Sequence, residues 1–116
     1  MELNDAVKQK IESFVNQNKV VLFMKGTRQQ PMCGFSARTV AALDSVLPDY
    51  VSVNVLDDQD IREGIKVYGN WPTIPQLYID GELVGGCDIT LELHASGELK
   101  GMMETAAAEQ SSGDAS

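Results

Sequence analysis

The sequence predicts an α/β domain: a four-stranded mixed sheet flanked by helices on both faces. Three observations lead there. The hydrophobic period switches repeatedly along the chain, giving helix, strand, helix, strand and helix in order. An Asp80-Gly81 pair then separates two short apolar runs, the mark of a tight β-hairpin. The chain has 116 residues, 43% of them apolar and 22% charged, which is enough for one core and too short for two.

The elements follow in order. Asn4-Asp5 caps a first helix in which Leu3, Val7, Ile11 and Phe14 recur at helical spacing, ending near Asn18. Val20 to Met24 is a short apolar run rich in β-branched residues, as suits a strand buried on both faces. The polar loop from Lys25 to Met32 leads to Cys33 and a second helix, with Ala37, Val40, Leu43 and Leu47 on one face and Pro48 as its stop. In Tyr50 to Val55 three valines alternate with polar partners, a second strand parallel to the first through a right-handed crossover. Asp57-Asp58 opens a third helix carrying Ile61, Ile65 and Tyr68, and Gly69-Asn70 closes it. Leu77 to Ile79 and Glu82 to Val84 form the hairpin, because Asp-Gly supplies the positive φ angles of a two-residue primed turn. After a Gly85-Gly86 turn, two short helices start at Asp88 and near Glu98, separated by Gly97, with Ile89, Leu93, Leu99, Met102 and Met103 as core candidates. Residues 1–106 make the domain, and 107–116, small and polar, read as a disordered tail.

Charge and targeting exclude several classes of function. A net charge of -8 argues against nucleic-acid and anionic-membrane binding, both of which rest on basic surface. The longest unbroken aliphatic or aromatic run is Val20 to Met24, so no segment spans a bilayer as a helix. The acidic start Met1-Glu2-Leu3-Asn4-Asp5 has neither a secretory h-region nor the Arg-rich character of a transit peptide, and the chain is expected to stay in the cytoplasm. Two cysteines are too few for a disulfide scaffold, which fits a reducing compartment.

Cys33-Gly34-Phe35-Ser36 places one thiol at a strand-to-helix junction and a serine where a second thiol would complete a redox pair. A Cys-x-x-Cys at such a junction closes on itself, its second thiol resolving the mixed disulfide formed by the first. Ser36 resolves nothing, so Cys33 must borrow a second sulfur from a small thiol, from Cys87 or from another chain. Unpaired N–H groups and the helix dipole at a helix start stabilise a thiolate, predicting a Cys33 pKa below the free value of about 8.5. An inert buried cysteine is the plainer alternative, but Gly34 and the polar loop before it read as a surface turn. In Trp71-Pro72-Thr73-Ile74-Pro75, a proline opening a strand near a reactive cysteine suggests a cis Ile74-Pro75 bond that turns the Ile74 backbone toward a peptide-like ligand. Taken alone, this stretch reads as a plain rigid turn.

Together these blocks, with Phe23-Met24-Lys25-Gly26, Pro31-Met32 before the cysteine, Gln76-Leu77 after the prolines and Gly85-Gly86-Cys87-Asp88, resemble the monothiol glutaredoxins of the Cys-Gly-Phe-Ser class, over nearly all of residues 3 to 106. The resemblance is to the single-domain form. It implies a thioredoxin-like fold, bound glutathione, and a [2Fe-2S] cluster that bridges a homodimer and is passed to apo iron-sulfur proteins, with a role in iron homeostasis. It places the cluster-ligating and catalytic thiol on Cys33 and the glutathione contacts on Lys25, Arg62, Ile74, Cys87 and Asp88. It also implies heterodimers with BolA-like proteins.

Those roles suit the chemistry of a tripeptide with two carboxylates and one amine. Lys25 and Arg62 can hold the glycyl carboxylate, Ile74 offers a backbone rail, and the Cys87 and Asp88 amides at a helix start can receive the γ-glutamyl carboxylate. Against these stand plainer readings: solvated surface charge for Lys25 and Arg62, and a simple N-cap for Asp88. The Cys87 thiol reads as incidental, with a disulfide to Cys33 or glutathionylation as alternatives. His94, the sole histidine, reads as a surface residue, and Met102 and Met103 as core and flank. The competing function is a glutathione-dependent oxidoreductase that removes glutathione from mixed disulfides, for which one thiol suffices. The longer loop from Thr27 to Met32, associated in this class with weak activity of that kind, tells against it.

Overall fold

The computed structural model describes residues 3–46 and 49–105. The expected stop at Pro48, Leu47 and the tail 107–116 lie outside them. Asn4 caps α1 (Asp5–Gln17) by accepting from the Ala6 amide, and β1 (Val20–Met24) follows. Then come α2 (Gly34–Val46), β2 (Val51–Asn54), a 3-10 turn (Val55–Asp57), α3 (Gln59–Tyr68), β3 (Gln76–Ile79), β4 (Glu82–Gly85), α4 (Cys87–Ser96) and α5 (98–105).

The sheet order is β2-β1-β3-β4, with β1 parallel to β2 and antiparallel to β3. β1 is therefore an inner strand, and all five of its residues are buried. Its alternation divides the core in two: Val20, Leu22 and Met24 join Val40 and Leu43 of α2 and Leu99 and Met103 of α5, whereas Val21 and Phe23 join Ile11 of α1 and Ile61 and Ile65 of α3. Helices thus cover both faces, as the sequence predicts. Asp80 (φ 55°) and Gly81 (φ 80°) both take the left-handed conformation, making the predicted hairpin turn.

Several boundaries shift for identifiable reasons. β2 ends at Asn54 rather than Val55, because the Asn54 carboxamide oxygen accepts from the Leu56 amide and turns the chain into the 3-10 segment. Asp58 alone caps α3, accepting from Asp60 and Ile61. The buried face of α2 is Ser36, Thr39, Val40, Ala42 and Leu43, with Ala37 exposed, so the helix is rotated from the purely apolar stripe. Its buried Thr39 is satisfied locally, Oγ1 donating to the Phe35 carbonyl at 2.8 Å. At the end of α3 the positive φ belongs to Asn70 (50°), while Gly69 is ordinary at -87°. Glycine is needed at 69 for space, since a Cβ there would meet the Tyr78 hydroxyl at 2.5 Å.

Candidate functional site

The C-terminal end of β1 runs into Lys25 and a closed loop that returns the chain to Cys33 at the mouth of α2. The Met32 amide donates to the Lys25 carbonyl at 2.9 Å, and the Gly26 amide donates to Asn54 Oδ1 at 2.9 Å. Cys33 directly precedes α2, and its carbonyl accepts the first helical bond, from Ala37 at 2.9 Å. Its thiol is half-buried and free.

The electrostatics of this position match the prediction. The Ser36 backbone N–H, foremost, holds the Cys33 thiol below its ordinary pKa against burial, the next-largest influence, and the Phe35 backbone N–H, the Lys25 ammonium and the Ser36 hydroxyl add to the lowering. Ser36 itself is fully buried, and its Oγ accepts the Lys25 backbone N–H at 3.1 Å. One serine hydroxyl thus ties the end of β1 to the reactive sulfur. The sequence marks Ser36 only as a missing thiol, and this bridging role emerges from the fold.

Beside Cys33 opens a cleft of about 650 Å³, within the usual range of small-molecule sites. Lys25, Cys33, Ile74, Cys87 and Asp88 all line it, together with Phe35 and the Trp71–Pro75 segment. The Ile74–Pro75 peptide bond is cis. Lys25 is in no ion pair among the described residues, leaving its ammonium for a ligand. Arg62 is not part of the cleft lining. Lys66, one turn further along α3, takes that place, with Glu63 Oε2 2.9 Å from its ammonium. Sequence reasoning missed Lys66, although its i,i+4 spacing from Arg62 puts both on one face of the helix.

α4 starts one residue earlier than expected, at Cys87, with Gly86 as its N-cap. Asp88 is therefore in the first turn and exposed, not the cap. Gly86 supplies no capping side chain, so the first amides of α4 open into the cleft wall with the helix dipole behind them, a setting that favours an anion. Cys87 is buried, at 7% exposure. His94 lies outside the cleft lining, exposed, its Nε2 2.9 Å from Ser45 Oγ, where it links α4 to α2. Met103 is core and Met102 half-buried at its flank, the reverse of the order expected.

Comparison with known proteins agrees with this geometry. The sequence profile of the Glutaredoxin family matches residues 20–84. The chain is 49% identical over 106 residues to an "Uncharacterized monothiol glutaredoxin ycf64-like" protein of Synechocystis, covering 91% of this chain and 99% of that one. It is 55% identical over 97 residues to "Glutaredoxin-related protein 5, mitochondrial" of Danio rerio, covering 83% of this chain but 63% of the zebrafish protein. Among solved structures, reduced poplar apo GrxS14 superposes with a TM-score of 0.77 at 50% identity, covering 93% of this chain and 99% of its own. A buckwheat glutaredoxin-glutathione complex superposes with a TM-score of 0.77 at 27% identity, covering 89% and 92%. With a single thiol in its motif, a thioredoxin-like sheet and these relatives, the chain belongs to the glutaredoxin family, in its monothiol branch.

Proposed function

We propose that the chain binds glutathione in this cleft and carries a [2Fe-2S] cluster between two copies of itself, delivering it to apo iron-sulfur proteins in the cytoplasm. The observation that carries the reading is Cys33: a thiol biased toward thiolate, beside a tripeptide-sized cleft, with a serine in the resolving position and Cys87 buried. Lys25 and Lys66 receive the glycyl carboxylate, with Arg62 adding charge from the preceding turn. The Ile74 backbone pairs with the extended ligand, the Cys87 and Asp88 amides take the γ-glutamyl carboxylate, and the Asp88 carboxylate faces the amine. The buckwheat complex, on the same fold, supports glutathione as the ligand.

A [2Fe-2S] cargo needs four thiolates. Among the described residues no three His, Cys, Asp or Glu side chains gather as a metal site, and Cys33 is the thiol each chain would contribute. Two copies supply two thiolates and two glutathiones the rest. A ligand set that is half exchangeable suits release to a client, and a BolA-like protein, whose histidine can replace part of the sulfur ligation, is the proposed heterodimer partner.

The depressed thiol also favours a second reading, deglutathionylation. Cys33 thiolate attacks the glutathione sulfur of a mixed disulfide, expelling the protein thiolate, and a second glutathione thiolate then releases Cys33 as oxidised glutathione departs. Protein purified without oxygen and with glutathione distinguishes the two. A coloured, dimeric protein with visible cluster absorbance supports the carrier, whereas a colourless monomer with rapid glutathione-dependent turnover overturns it in favour of the oxidoreductase.

A further inference from the structure

Gln76, the first residue of β3, is fully buried, an unusual place for a carboxamide. Its side chain is fully engaged. Nε2 donates to the Trp71 carbonyl at 3.0 Å and the Thr73 carbonyl at 3.2 Å, and Oε1 accepts from the Tyr78 hydroxyl at 3.0 Å. Tyr78 is buried in turn, with its ring edge-on to Phe23 of β1 at 5.5 Å. The chain of contacts therefore runs from the central strand, through Tyr78 and Gln76, to the backbone of the segment that lines the cleft.

The surroundings are shaped to this network. A Cβ on Gly69 would meet the Tyr78 hydroxyl at 2.5 Å and Gln76 Oε1 at 2.8 Å, so the end of α3 lies against the same two groups. One on Gly86 would meet Trp71 Nε1 at 3.1 Å and the Pro75 carbonyl at 3.2 Å, so the far side of the wall rests on the N-cap of α4. The Trp71 amide donates to the Lys66 carbonyl at 3.0 Å, which connects the wall to the cleft lysine.

We infer that Gln76 is a positioning residue for the ligand cleft: its carboxamide holds the Trp71 and Thr73 carbonyls and so sets where the Ile74 backbone meets a peptide-like ligand. The contribution to glutathione binding rests on the function proposed above, while the control of the wall itself does not. Gln76 touches no ligand. It acts through a loop that has no regular secondary structure of its own and would lose two part-buried anchors together.

The full chain offers a built-in probe, because Trp71 is its only tryptophan and lines the cleft. Gln76→Met keeps the length of the side chain and removes both the donors and the acceptor. We expect acrylamide to quench Trp71 more strongly in this variant, and glutathione binding, read by calorimetry, to weaken about tenfold, which is about 1.4 kcal/mol. Iodoacetamide alkylation of Cys33 should keep its pH profile, because none of the groups that bias the sulfur contacts Gln76; a general loosening of the fold would move that profile as well. If Gln76→Met does not fold, Tyr78→Phe removes only the hydroxyl that orients Oε1 and should move Trp71 quenching and affinity in the same direction, by a smaller factor. Unchanged quenching in the folded variant overturns the inference, as does unchanged affinity in a protein whose wild type binds glutathione. Should the wild type bind no glutathione, the proposed function fails, and Trp71 quenching alone still decides whether Gln76 holds the wall.

Discussion

At Ser36 the residue that prevents internal disulfide chemistry also builds the thiolate site. Its hydroxyl accepts the Lys25 amide and hydrogen-bonds the Cys33 sulfur from a fully buried position. Ser36→Ala should therefore do two things: shift the inflection of Cys33 alkylation with pH upward toward the ordinary thiol value, and destabilise the fold by about 1–2 kcal/mol through an orphaned amide. Iodoacetamide rates across pH and a denaturant titration measure both. Cys33→Ser should leave the fold intact and abolish alkylation at this site together with any cluster absorbance. Because the folded thiol titrates below its unfolded value, it contributes stability that grows as pH rises from the folded pKa to the unfolded value of about 8.5 and is lost as pH falls through the folded pKa. That rise should vanish in Cys33→Ser, and a melting-temperature series in which both proteins trace the same curve would contradict the assignment.

The loop from Gly26 to Met32 leads the chain from β1 back to Cys33, and its tip is clamped from outside. Arg28 reaches the Tyr50 carbonyl at 3.2 Å and Asp44 Oδ1 at 2.9 Å, with its guanidinium 3.8 Å from the centre of the Tyr50 ring, while the Tyr50 hydroxyl donates to the same Asp44 oxygen at 2.9 Å. Burial, foremost, and that bond to Asp44 keep the Tyr50 hydroxyl protonated, its pKa pushed well above the ordinary phenol value. Arg28→Ala should cost about 1 kcal/mol of stability and speed hydrogen exchange of the Gln30 and Met32 amides, with the α3 amides unaffected. Equal protection of the loop in both proteins would show that its local bonds suffice without the clamp. The order of elements was legible because apolar periodicity reports burial of whole faces: the all-apolar β1, the Asp80-Gly81 turn and the Asn4 cap stand where the pattern puts them. Polar residues buried for the sake of remote partners were not legible. Ser36 is one, satisfied by the Lys25 amide at the end of β1; Thr39 and Gln76, satisfied within five residues of their own positions, are buried because their elements pack inward, which a polar side chain does not announce in one dimension. The choice of Lys66 over Arg62 for the cleft likewise depends on how α3 is rotated against the sheet, which periodicity fixes only to within a turn.

Across the whole molecule, a chain of net charge -8 presents Lys25, and Lys66 paired with Glu63, to one cleft beside a helix start with no side-chain cap, a local concentration of positive groups that suits the anionic tripeptide proposed as its ligand. Close to that thiol the surface is apolar. Met32 and Phe35, the residues flanking Cys33 and Gly34, are 63% and 53% exposed, the largest exposures among the bulky apolar side chains described. Such residues around the sulfur proposed as the cluster ligand would be covered by a second copy arriving face to face. The proposed carrier therefore makes oligomeric state depend on glutathione: with cluster supplied, size-exclusion chromatography across a glutathione titration should show dimer and visible absorbance rising together and disappearing together on depletion, while cluster-free protein stays monomeric. An oxidoreductase using glutathione as cosubstrate would merely stop turning over, with no change in size. Ser36→Cys sharpens the distinction, because a sulfur one helical turn from Cys33 can form an internal disulfide under mild oxidation and withdraw the ligand. Its dimer should be lost at glutathione concentrations that preserve the wild-type dimer. A wild-type chain that assembles a stable, coloured dimer with no glutathione and no substitute thiol would draw its remaining ligands from elsewhere, and the mixed ligation proposed for Cys33 would have to be abandoned.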